Sequence, residues 1–150
     1  MKIQLPRNSE WKHAADHLWS GLVKDRAAWE TEIEDERAHG TLTAHHVCGK
    51  DNLELRYALE SGICVSFGQH FHHHVKANPL PVMRYMERHR AGDLAYIESL
   101  VHAKPGAKKV RDYFDDLLEL AKDKPRVMDY FTARCPKSVL KYLQTKEMEK

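Results

Sequence analysis

Long apolar runs are missing from this chain: its uncharged stretches are broken by Gly, Pro, His or Ser at short intervals. None approaches the roughly 20 residues that a bilayer-spanning helix needs, so a soluble protein without a membrane partner is expected. The opening residues Met1 to Arg7 hold no apolar run of the roughly 7 to 15 residues a secretory signal requires, and a cytoplasmic address is the default expectation. Cysteine is scarce. Cys48, Cys64 and Cys135 are odd in number and lack C-x-x-C spacing, which argues against a disulfide framework or a thiolate zinc site and for reduced, structural thiols. Glycine and proline number only 7 and 6, beside 42% hydrophobic and 31% charged residues. Disordered, collagen-like and low-complexity chains do not have that composition. No fixed-period repeat points to a solenoid. Gly-rich phosphate loops, Gly-x-Ser-x-Gly elbows and His-Glu-x-x-His helices are likewise missing, so the common enzyme signatures give no reason to expect catalysis.

What is present suits one domain over residues 1–150, a length that can bury one core. The formal net charge is only +2, but residues 1–75 carry 8 basic and 11 acidic side chains whereas residues 76–150 carry 16 and 11. A basic face on the second half is thereby permitted. Eleven histidines can add several charges between pH 7 and 5.

From Ser9 to about His39, Trp11, Ala15, Leu18, Leu22, Trp29 and Ile33 recur at helical steps, interrupted by Gly21. That pattern predicts one long amphipathic helix, or two broken near Gly21, with Asn8 or Ser9 as N-cap and Gly40 as stop. Glu30, Glu32, Glu34, Asp35 and Glu36 are then a solvated face. The period changes to two at Leu53, Leu55, Tyr57 and Leu59 and again at Ile63, Val65, Phe67 and Phe71. A three-stranded antiparallel meander over 41–48, 53–60 and 63–73 follows, with Gly62 in the second turn. The rival reading makes Asp51-x-x-Glu54 a capping box that opens a helix ending at Gly62. Helices resume after Asn78-Pro79, with a stop at Gly92 and a cap at Asp93. They continue through Val110–Ala121, from Pro125 to Arg134, and from Pro136 onward. The expected class is therefore α+β: a long N-terminal helix, a small meander and a predominantly helical C-terminal half. Failure of the meander would make the fold all-α.

The most conspicuous cluster is Gly68-Gln69-His70-Phe71-His72-His73-His74. On a strand, His70, His72 and His74 share the face opposite Phe67 and Phe71, and neutral imidazoles ligate zinc or manganese. The spacing His70-Phe71-His72 resembles the metal-binding pair of endonucleases that nick single strands with a tyrosine. That resemblance implies Tyr142 as nucleophile with Lys146, one helical turn on, as its helper. The plain alternative is a solvated segment with incidental metal affinity. His13 and His17, also one turn apart, can chelate a metal but have no third ligand in the sequence, so a surface stripe is the simpler reading. Arg84 and His89 have the Arg-x4-His spacing of some small helical ribonucleases, yet five residues do not bring them together on a straight helix. For binding, Lys104, Lys108, Lys109 and Arg111 surround a helix start where backbone amides add positive potential. Arg126, Arg134, Lys137 and Lys141 recur on the last helices, within reach of a nucleic-acid groove if those helices pack tightly. The expectation is a small binding or regulatory protein without catalysis and without a cofactor. It would act on a protein or nucleic-acid partner through its helical C-terminal half, and the long helix also admits a homodimer. The alternative is a metal-dependent phosphodiesterase.

Overall fold

A computed structural model describes residues 4–35, 37–50, 52–75 and 78–148, with backbone alone for residues 72–75. The chain forms two compact units, one from residues 1–21 and 107–150, the other from residues 22–106. Helix α1 (Asn8–Arg26) contributes to both. No described helix is long and apolar enough to cross a membrane.

The first unit is helical. Helices α6 (Val110–Ala121), α7 (Pro125–Arg134) and α8 (Lys137–Met148) run where their periodic apolar residues predict them. Pro125 supplies a pre-set φ at the first position of α7. Trp11, Leu18, Phe114, Phe131, Val127 and Val139 are buried in this unit. Ring contacts Trp11–Phe114 at 5.0 Å and Phe114–Phe131 at 6.0 Å connect α1, α6 and α7. Each such ring contributes on the order of 1.5–3 kcal/mol by leaving water. Gly21 lets α1 approach α7: a Cβ there would stand 3.1 Å from Val127 Cγ1 and 3.2 Å from the Tyr130 ring.

The second unit is mixed. Strands β1 (Leu42–His46) and β2 (Gly62–Ser66) pair antiparallel, with Leu42 opposite Ser66 and His46 opposite Gly62. Between them lie helix α2 (Leu53–Tyr57) and a single 3-10 turn, Leu59–Ser61. After them come α3 (Phe67–Val75), α4 (Leu80–His89) and α5 (Ala91–Val101). Leu55, Ile63, Val65, Val82, Met86 and Ile97 form the apolar core.

The α+β class thus holds, with three local corrections. The N-terminal helix ends at Arg26, not near His39, because Ala28 and Trp29 take positive φ (55° and 59°) and the Trp29 amide closes back onto the Lys24 carbonyl at 2.8 Å. The middle strand of the meander, 53–60, is instead α2 and the 3-10 turn. Asn52 Oδ1 accepts from the Glu54 amide at 2.9 Å, so the cap lies one residue beyond the rival's Asp51. A segment of five residues is too short for its own apolar spacing to separate a period of two from 3.6. The third strand, 63–73, stops at Ser66, where a reciprocal capping box begins α3. Ser66 Oγ accepts from the Gln69 amide at 3.3 Å and Gln69 Oε1 accepts from the Ser66 amide at 2.9 Å. In addition, α4 ends at His89 rather than at Gly92, and Asp93 lies in the first turn of α5, where it pairs with Arg90 at 2.8 Å.

Polar side chains hold the irregular residues 27–35 and 37–41 against the rest of this unit. Gln69 accepts from Thr31 Oγ1 at 2.6 Å and donates to the Ile33 carbonyl. Glu32 Oε2 accepts from the Cys64 amide at 2.6 Å while Arg90 reaches Glu32 Oε1 at 3.3 Å. Arg90 and Arg26 both donate to the Gly62 carbonyl, at 2.7 and 2.6 Å. With its side chain 11% exposed, Glu32 is not part of a solvated acidic face. The Arg90 guanidinium supplies the charge that a buried carboxylate requires.

Candidate functional site

In the first unit, 14 Lys and Arg stand against 10 Asp and Glu, a net of +4; in the second the counts are 10 and 12, a net of −2. Helices α7 and α8 meet at Cys135-Pro136, and Arg134, Lys137 and Lys141 flank that junction as exposed side chains. Lys137 and Lys141 are one turn apart on α8, which puts them on one face. The Arg134 guanidinium lies 3.8 Å over the Tyr130 ring and donates to the Tyr130 carbonyl at 3.1 Å, so its position is fixed by α7 itself. None of these three cations has a carboxylate partner among the described residues.

The group Lys104, Lys108, Lys109 and Arg111 is divided. Lys104 is exposed and belongs to the second unit; the other three belong to the first. Lys108 is ion-paired with Asp116, and its ammonium is 4.5 Å from the Tyr113 ring. Lys109 is exposed at the N-cap of α6, its amide held by Asp112 Oδ2 at 2.9 Å. Arg111 is packed into the unit: its guanidinium lies 4.0 Å over the Trp11 ring, 5.1 Å from that of Tyr142, and pairs with Asp115 at 3.0 Å. Among the described residues, Lys104 and Lys109 are the two of the four whose charge has neither an ion-pair partner nor an aromatic ring against it.

Tyr142 is 9% exposed, with its ring edge against Trp11 at 5.4 Å and the Lys146 ammonium 5.7 Å away. The pair is therefore adjacent as expected of one helical turn, but Tyr142 sits in the aromatic core rather than in a cleft. Of the histidine cluster, the backbone of residues 70–74 is helical, so the period of two that put His70, His72 and His74 on one face does not apply. The side chains of His72 and His74 lie outside the described residues. His70 packs against buried His45, ring centroids 5.0 Å apart, with its Nδ1 3.0 Å from Thr43 Oγ1. Among the described residues, no group of three or more His, Cys, Asp or Glu is arranged to hold a metal ion. Arg84 and His89 are both exposed on α4, and the Tyr85 ring lies 5.0 Å from His89.

The three thiols are free. Burial pushes Cys64 up to about 11, helped by the Glu32 carboxylate, and Cys135 up to about 12. Both stay protonated at neutral pH, which deprives them of nucleophilic character.

One pair that the sequence reading treated as a surface stripe is organised by the fold. His13 and His17 on α1 bring their Nε2 atoms to 3.1 Å, with the rings perpendicular at a centroid distance of 4.5 Å. The Tyr130 ring lies 6.4 Å from His17, and Tyr130 Oη is 3.1 Å from Ser20 Oγ. The four-residue spacing was the available signal; the orientation of the rings was not in it.

No protein-family model, curated protein or solved structure matches this chain.

Proposed function

We propose that this protein is a non-catalytic binding protein that holds the phosphate backbone of a nucleic acid through the α7–α8 junction of its helical unit. The observation that carries this reading is the exposed trio Arg134, Lys137 and Lys141, without carboxylate partners among the described residues, on the unit of net charge +4. A polyanion is bound by such cations through release of condensed counterions, and each neutralised phosphate steepens the salt dependence. Lys109 supplements the trio. Lys108 and Arg111 contribute little, because the first is already neutralised by Asp116 and the second is committed to Trp11 and Asp115.

Retention of the purified protein on a random-sequence DNA duplex, measured against salt, tests the reading. Arg134→Ala, Lys137→Ala and Lys141→Ala should each lower the slope of log affinity against log salt by about 0.9 per lost phosphate contact. Lys108→Ala should leave it unchanged. Equal slopes for the parent and the three variants would remove these residues as phosphate contacts. A chain that shows no salt-dependent retention at all would leave the protein partner as the surviving class. The phosphodiesterase alternative has less support, since Tyr142 is packed under Trp11 and Arg111.

A further inference from the structure

The two imidazoles of α1 are placed as metal ligands are. We infer that His13 and His17 form a two-histidine site for a late first-row divalent metal, Cu2+, Ni2+ or Zn2+, whose remaining positions are filled by water or by an incoming ligand.

The argument begins with spacing. Residues four apart on a helix lie on one face, one turn above the other. His13 and His17 occupy such positions in the middle of a 19-residue helix, so the backbone that separates them is rigid and the chelate needs little ordering. The distance is the decisive quantity. Two nitrogens each about 2.0 Å from one metal are about 2.8 Å apart in a square-planar cis arrangement and about 3.3 Å apart in a tetrahedral one. The observed Nε2 to Nε2 separation of 3.1 Å falls between the two. In the metal-free pair, one neutral ring donates its Nε2 proton to the other. In the metal-bound pair, both protons reside on Nδ1 and both Nε2 lone pairs face the ion, so the metal replaces the shared proton with little ring movement.

The surroundings favour an open site. His13 is exposed and His17 half-buried, so an ion can enter from solvent. Tyr130 packs against His17 at 6.4 Å, which steadies that ring, and its hydroxyl is engaged with Ser20 at 3.1 Å. The charged groups that flank the pair are Lys12 and Asp16 on α1 and Arg134 over Tyr130 on α7. Because no third His, Cys, Asp or Glu joins the two among the described residues, the metal keeps open positions. Imidazole ligands suit zinc, copper and nickel, while carboxylate and water ligands suit manganese and magnesium. This site is separate from the histidine-rich segment at His70–His74 and independent of the phosphate-binding reading.

Nine of the eleven histidines lie in residues 22–106, so the test must locate the metal rather than only count it. Tag-free full-length protein, labelled with 15N, is titrated with sub-stoichiometric Cu2+, whose unpaired electron broadens nearby amide signals. Broadening is expected across residues 13–17 and at Tyr130. Loss of an outer-shell partner alone costs about 10- to 100-fold in metal affinity. His13→Ala and His17→Ala should therefore each weaken Cu2+ binding at this helix by at least about tenfold.

A second variant keeps the number of histidines constant. Lys12→His combined with His13→Ala moves one ring from four to five residues away and should abolish the broadening, while the metal-free melting temperature stays that of the parent. Broadening confined to residues 70–74, or broadening at 13–17 that survives either variant, would overturn the assignment.

Discussion

Two solutions to the same packing problem stand side by side in this chain. Residues 1–21 and 107–150 close around rings and aliphatic side chains, with Phe114, Phe131, Val127 and Val139 fully enclosed. Their ion pairs, such as Arg111–Asp115 and Lys122–Glu119, lie at the surface, where such pairs contribute about 0–1 kcal/mol. Residues 22–106 also have an apolar core, but a long non-periodic segment is attached to it by buried polar groups: Arg90 and Glu32 are 10% and 11% exposed and Gln69 is enclosed. Regular helices satisfy their own backbone and need only an apolar face. An irregular segment leaves amides and carbonyls over, and something else must meet them. Here Gln69 and Ser66 meet the Ile33 and Arg37 carbonyls, Glu32 takes the Cys64 amide, and Arg26 and Arg90 meet the Gly62 carbonyl.

The largest test of this contrast is Arg90→Ala. Removing one partner of a largely enclosed pair costs up to about 3–5 kcal/mol, less what Arg26 still offsets at Glu32, and the Gly62 and Glu60 carbonyls lose donors as well. Urea unfolding should register the loss, and amide exchange should accelerate across residues 22–106 before it does in α6–α8. Uniform acceleration would show that the polar attachments are not local to their unit.

Two glycines sharpen the same comparison at smaller cost. A Cβ on Gly68 would stand 2.5 Å from the Arg37 carbonyl and closer still to the His39 ring. Backbone must move, and Gly68→Ala should cost about 1–3 kcal/mol. At Gly21 the neighbours are the side chains of Val127 and Tyr130 at 3.1 and 3.2 Å. These can yield, and replacing glycine within a helix returns about 0.5–1 kcal/mol, so Gly21→Ala should change stability by less than about 1 kcal/mol. Melting temperatures of the two variants, measured together, decide the order.

The smallest effect belongs to the surface of the helical unit. Hydrogen bonds from Ser138 and Arg7 hold the Glu10 carboxyl down from its ordinary 4.5 to about 2. A lowered folded value stabilises the protein above the unfolded value, and that contribution fades as pH falls from about 4.5 towards 2. Glu10→Gln should flatten this part of the acid-unfolding curve and leave the curve above pH 5 parallel to that of the parent.

The difference between the units also explains which parts of the structure were readable. α6, α7 and α8 follow from apolar spacing, Pro125 and the Pro136 break, because those signals act within one helix. In the second unit the apolar alternation of Leu53 to Leu59 suggested a strand, whereas Asn52 caps a short helix there, with Leu55 and Tyr57 buried. The end of β2 was legible and overlooked: Ser66-Phe67-Gly68-Gln69 is a capping-box sequence, and reading it as such would have placed the histidine segment on a helix. Of the candidate cations, sequence showed position but not occupation. Arg111 and Lys108 looked as available as Lys137 and Lys141 until their neighbours were known.

The sequence alone determined the α+β class, the helical second half and the charge difference between the halves, since each depends on composition or on residues within a few positions of one another. Tertiary structure decided that Glu32 is largely enclosed on Arg90, that Tyr142 is core, and that two imidazoles of α1 face each other. Those outcomes depend on partners tens of residues away or on side-chain rotation, and no local spacing encodes either.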